Sequence, residues 1–86
     1  MFSWHGDQWV FTLTEYAFPV IGSKALDKIE TEDVLKILQP IWTTKTETAS
    51  RLRGRIERIL SAATTRKLRN GVNPALWRGH LDTILP

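Results

Sequence analysis

The sequence predicts an all-α fold, a bundle of four helices. Apolar residues recur at spacings of three and four in successive stretches, helix-starting and helix-stopping residues stand between those stretches, and no linker exceeds a turn. Eighty-six residues suffice for one domain with a single modest core. They are too few for a catalytic cleft flanked by its own subdomain.

The first helix is expected from about Asp7, with Trp9, Leu13, Tyr16 and Val20 on one face and Ala17 widening it. Phe2 and Trp4 precede it without evident partners. Pro19 is expected to end the helix near Phe18, because a residue before proline is pushed out of the helical region. Residues 23–30 read as a connector in which Leu26 and Ile29 plug the core while Asp27, Lys28 and Glu30 stay in water. Thr31 is expected to cap the second helix, with Glu32 and Asp33 in the first turn, where the helix dipole favours negative charge. Val34, Leu35, Leu38 and Ile41 or Trp42 form its buried side, and Pro40 is expected to end or kink it just beyond Leu38.

Residues 44–68 read as one long helix with two unlike faces. At about 100° per residue, Ala49, Leu52, Ile56, Ile59, Leu60 and Ala63 share an apolar stripe, while Arg51, Arg55 and Arg58 line up on a flank. Thr44 and Glu47 have the spacing of a capping box, and Asn70 and Gly71 suit the left-handed turn that closes a helix. Gly54 is costly inside a helix, by roughly 1 kcal/mol, and close approach of another backbone would explain it. A short fourth helix is expected from Asn73 as cap and Pro74 as first residue, packing through Ala75, Leu76 and Trp77 and loosening at Gly79 and His80.

The net charge of +3 hides an asymmetry. Residues 1–44 carry three Lys against six acids, residues 45–69 carry eight Lys or Arg against two acids, and residues 70–86 are neutral overall. Clustered positive charge raises the local potential that a polyanion needs, although a solvated helix face has the same composition. No cysteine is present, which excludes disulfides, thiolate metal sites and cysteine nucleophiles. His5 and His80 lie near opposite ends with no suitably spaced acids, so no metal or other cofactor is expected. No phosphate-binding glycine loop or nucleophile elbow is found, and the acids around Glu30, Glu32 and Asp33 are explained by a helix start. No apolar run reaches membrane-spanning length and no secretory leader is evident, so the chain reads as soluble. Trp9, Trp42 and Trp77 fall on or beside core faces, which favours packing over stacking on single-stranded nucleic acid.

Three ordered segments carry a resemblance: Tyr-Ala-Phe-Pro-Val-Ile-Gly at 16–22, Asp-Val-Leu with Pro-Ile-Trp within 33–42, and Thr-Ala-Ser-Arg-Leu-Arg-Gly-Arg-Ile-Glu at 48–57. Asn-Pro-Ala and Trp-Arg-Gly-His-Leu within 73–81 add to them. Together they resemble the core-binding domain of phage-type integrases of the tyrosine recombinase family. The resemblance implies a four-helix orthogonal, SAM-like bundle that clamps duplex DNA at the core of an attachment site. It further implies that catalysis belongs to a second domain of the same protein, expected to follow Pro86. Residues 1–86 then form a single DNA-binding domain, not an enzyme by itself, monomeric when isolated and cytoplasmic in a bacterium.

The candidate DNA-binding residues are Lys45, Thr46, Thr48, Arg51, Arg55 and Arg58. Lys and Arg position a protein on phosphates, and the first turn of a helix adds free amides and hydroxyls. Arg53 lies nearer the apolar seam and suits a salt bridge to an acid on a neighbouring helix. The rival reading is a helical protein-interaction module that meets an acidic partner.

Overall fold

The computed structural model describes residues 9–86, and every regular element among them is helical. Helix α1 covers residues 9–21, α2 covers Thr31–Trp42 and α3 covers Thr46–Thr65. Single 3-10 turns occupy Leu26–Lys28 and Leu81–Thr83. Phe2, Trp4, His5 and the expected start at Asp7 lie outside the described residues.

Neither proline ends its helix where the sequence rules place the stop. Before Pro19, α1 widens into a π turn at Leu13–Ala17, closed by the Phe18 amide donating to the Leu13 carbonyl, and the helix then continues as Phe18–Ile21. The wider turn gives the proline ring room against the preceding turn, which is the clash that normally breaks a helix. Pro40 lies inside α2, which runs on to Trp42. Pro40 and Lys36, the residue whose carbonyl loses its amide partner, both lie on the exposed side of α2, away from the buried face.

The start of α2 is also one residue earlier than expected. Glu30 is the cap, in extended conformation, and Asp33 completes the box: its carboxylate accepts from the Glu30 amide at 2.9 Å while the Glu30 side chain accepts from the Asp33 amide. Asp33 is buried and also accepts from Lys24 Nζ at 2.8 and 3.0 Å. The connector and α2 are thereby joined.

The core lies between α2 and α3. Val34, Leu35, Ile37, Leu38, Ile41 and Trp42 of α2 meet Ala49, Leu52, Ile56 and Leu60 of α3, with Ile29 from the connector and Leu81 and Leu85 from the end of the chain. Leu13, Tyr16, Val20 and Leu26 pack partly against this cluster. The Trp42 indole stacks on Trp77 at 5.3 Å between centroids and donates to the Pro86 carbonyl at 2.9 Å. Arg69 is buried: it donates to the carbonyls of Leu26 and Ile29 and ties the connector to the segment after α3.

Helix α3 starts and stops inside its expected span. Its cap is Lys45, and Glu47 does not reach back but pairs with Arg51. At the other end Lys67 takes the left-handed conformation with φ 64°, the Leu68 amide donates to Ala63 and the Lys67 amide to Thr64. That is a Schellman closure with a lysine where glycine is usual.

The fourth helix expected after Asn73 is replaced by turns and the single 3-10 turn. Asn73 does start a turn, its Oδ1 accepting from the Ala75 amide, while its Nδ2 donates to the Glu57 carbonyl and to Ser61 Oγ. The segment that follows is anchored to α3, and Gly79 at φ 72° reverses the chain before a second helical turn can form. Thr31 and His80 share a 2.8 Å hydrogen bond that fastens this segment to the start of α2.

Candidate nucleic-acid interface

The long helix divides its residues much as its periodicity demands. Ala49, Leu52, Ile56, Leu60 and Ala63 are buried, whereas Ile59, expected in the same stripe, is partly exposed and borders an apolar cleft with Leu13 and Phe18 of α1.

On the other flank, α1 and α3 enclose a groove of about 460 Å³. Phe11, Thr12 and Tyr16 form the α1 wall, and Lys45, Thr48, Arg51 and Arg55 form the α3 wall and its entrance. Among the described residues no acidic side chain lines it, although Arg51 on its wall pairs with Glu47. Three cations, three hydroxyls and one exposed aromatic ring therefore face a shared volume. Such a set suits a phosphodiester: guanidinium and ammonium groups meet the charge and the Thr48 and Tyr16 hydroxyls supply further donors, while Thr12 is buried and donates its own proton to the Trp9 carbonyl at 3.3 Å.

The cations differ in how they are held. Arg55 Nη1 donates to Thr12 Oγ1 at 2.7 Å, and the guanidinium stands 5.6 Å from the centre of the Trp9 ring, so this arginine joins α3 to α1. Arg51 is exposed and pairs with Glu47 at 3.3 Å, an i, i+4 pair in water that costs little to open. Lys45 is exposed at the α3 cap. Of the six residues expected from sequence, Lys45, Thr48, Arg51 and Arg55 come together in the groove. Thr46 donates its hydroxyl to the Trp42 carbonyl at 2.6 Å and fastens the α2–α3 joint. Arg58 is exposed on α3 beyond the groove lining.

Arg53 has a structural role. It pairs with Glu57 on its own helix, not with a neighbouring one, donates to the Ala75 carbonyl at 2.8 Å and stands over the Trp77 ring at 5.9 Å. With Trp42 stacked on Trp77 and Trp9 under Arg55, these three indoles are engaged within the fold. Phe11, Thr12 and Tyr16 are the groove residues that sequence reasoning missed, the helical spacing assigning Tyr16 to the core face. Phe11 and Thr12 stand off the apolar stripe of α1, Tyr16 is on it, and no local spacing signals that the three face α3. Among the described residues, no cluster of three or more His, Cys, Asp or Glu side chains has the arrangement of a metal site, and no helix is long and apolar enough to cross a membrane.

The family model of the phage integrase central domain matches residues 3–80. The chain belongs to that family. A solved structure supports the same fold: a protein from Nitrosospira multiformis, determined by solution NMR, is 49% identical, superposes with a TM-score of 0.84, and is matched over 98% of this chain and 79% of its own. No curated protein matches. In this integrase central domain the groove lies on the helix that holds eight of the twelve Lys and Arg residues within or just beyond it, so site and charge coincide.

Proposed function

We propose that this domain binds duplex DNA for a tyrosine recombinase and holds the recombination site as one half of a clamp. The observation that carries this reading is the groove, with no acid in its lining among the described residues, in which Lys45, Arg51 and Arg55 converge with Thr48, Thr12 and Tyr16, in a chain of the phage integrase central domain family. The bundle corresponds to the SAM-like core-binding fold, with the turn-rich segment after Asn73 in the place of a fourth helix. Strand cleavage belongs to another domain of the same protein, and this domain performs no catalysis alone. It acts as a monomer before assembly on DNA, in the cytoplasm of a bacterium.

The contacts divide by chemistry. Lys45 and Arg51, exposed and loosely held, meet phosphates, and their displacement of condensed counterions makes binding salt-dependent. Arg55, fixed against Thr12 and Trp9, presents an ordered edge. Arg58 adds to the field without entering the groove.

Titration of the isotope-labelled domain with duplex DNA, followed by NMR, tests this reading. A random duplex is expected to bind with a dissociation constant of roughly 10⁻⁴ to 10⁻⁶ M near physiological salt. The shifted amides should gather along residues 45–55 and 11–16. An acidic peptide binding more tightly than duplex at equal salt would favour the protein-partner reading instead.

A further inference from the structure

Phe11 lines the basic groove and is 60% exposed. Leaving a phenylalanine in water forgoes the burial that would stabilise the fold, so an exposed ring inside a polar, cationic groove is unexplained by packing. Its placement follows from the π turn. Phe11 and Phe18 stand seven residues apart and would share one face of a regular α-helix. The π turn at Leu13–Ala17 shifts the register, and the two rings border different depressions: Phe11 the basic groove, Phe18 the apolar cleft.

We propose that Phe11 is an apolar DNA contact, packing on the sugar or base edge of a strand whose phosphates are held by Lys45, Arg51 and Arg55. The inference rests on the duplex-binding reading and adds α1 to the interface. Charge complementarity selects the occupant. Among the described residues its lining offers cations and hydroxyls and no acid, a set that repels a basic segment and attracts a polyanion. A nucleotide strand supplies an apolar sugar and base edge beside each phosphate, which matches a ring set beside three cations; thymine methyl groups are one such apolar partner. Where the ring meets a base edge and not the sugar, it adds a sequence-dependent contact, whereas the cations bind all sequences alike.

The test separates the ring from the charges. Phe11→Ala should weaken duplex binding about five- to tenfold while leaving the slope of log affinity against log salt unchanged, because a neutral side chain releases no counterion. Lys45→Gln with Arg51→Gln should lower both affinity and slope, and Phe18→Ala should change neither. In the unsubstituted protein, the ring signals of Phe11 should move on DNA addition more than those of Phe18, a reading that does not depend on any variant folding. If Phe11→Ala binds as the unsubstituted domain does while the charge variant is weakened, the Phe11 contact is wrong and the DNA-binding reading stands. If the unsubstituted domain shows no salt-dependent duplex binding, both fall. Tighter binding to single strands than to duplex, lost in Phe11→Ala, would overturn the proposal in favour of stacking on unpaired bases.

Discussion

Arg55 of α3 donates to the Thr12 hydroxyl of α1 at 2.7 Å and stands over Trp9, so one arginine both closes the seam between two helices and forms part of the groove between them. A flexible ammonium cannot reproduce a planar fork held against a ring and a hydroxyl.

Arg55→Lys should therefore lower stability by about 1 kcal/mol, the ordinary worth of a hydrogen bond with its cation–π contact. Urea unfolding followed by circular dichroism measures it. Equal stability of the two proteins would show that the seam is held by packing alone.

Lys24 and Asp33 couple the stability of the fold to acid. Burial by itself pushes the Asp33 carboxyl up, but the hydrogen bonds from Lys24 and the Glu30 amide, with the charges of Lys24 and Lys36, outweigh it and hold the group below its ordinary value of 3.8. Between the native and unfolded values the unfolded chain binds more protons. The stabilisation is therefore complete above the unfolded value and is lost as pH falls through the native one. Asp33→Asn should cost about 1–3 kcal/mol at pH 7 and make stability fall less steeply below about pH 4. Parallel pH curves for the two proteins would contradict this.

Lys67 closes α3 at φ 64°, a conformation that costs a residue with a Cβ about 1 kcal/mol. Lys67→Gly should raise the thermal midpoint by a few degrees, the relief of strain exceeding the added entropy of the unfolded chain. An unchanged or lower midpoint would show that the lysine is held there by favourable contacts.

Gly54 has no such excuse inside the domain: a Cβ built on it would meet nothing within 4 Å. The close approach expected from sequence is therefore not made by this chain's own described residues. Gly54→Ala should stabilise the helix by about 0.5–1 kcal/mol, read from denaturant unfolding. A destabilised variant would refute the view that this position is open.

Much of the fold is legible in the sequence because α2 and α3 obey helical periodicity with little interference: Val34, Leu38, Leu52, Ile56 and Leu60 are buried where the spacing puts them. The misses have physical sources. Pro19 and Pro40 do not stop their helices: a π turn makes room for one, and the other lies on the exposed side of α2. The fourth helix yields to Asn73, whose side chain binds α3, and to Gly79 at positive φ. Thr31 loses the cap to Glu30 because Asp33 reciprocates with its carboxylate.

The candidate site was half legible. One wall is a helix whose arginines announce themselves by spacing, and Lys45, Thr48, Arg51 and Arg55 do border the groove. The opposite wall is built by tertiary packing of α1, which places Phe11, Thr12 and Tyr16 there, and no sequence period encodes that meeting. Arg58 follows the same helical spacing as Arg51 and Arg55 but does not line the groove, so spacing by itself does not tell which arginines of the ridge border it.

The central claim is that the groove between α1 and α3 is where phosphates are held, and the salt dependence of duplex affinity tests it most directly. Lys45→Gln with Arg51→Gln removes two cations that carry no part of the core, and Lys28→Gln with Lys36→Gln removes two exposed cations away from the groove for the same change in net charge. Each lost phosphate contact should flatten the slope of log affinity against log salt by about 0.9, so the groove pair should flatten it by nearly two. The control pair should leave it almost unchanged. Equal slopes for the two double variants would contradict the groove as the DNA-binding surface.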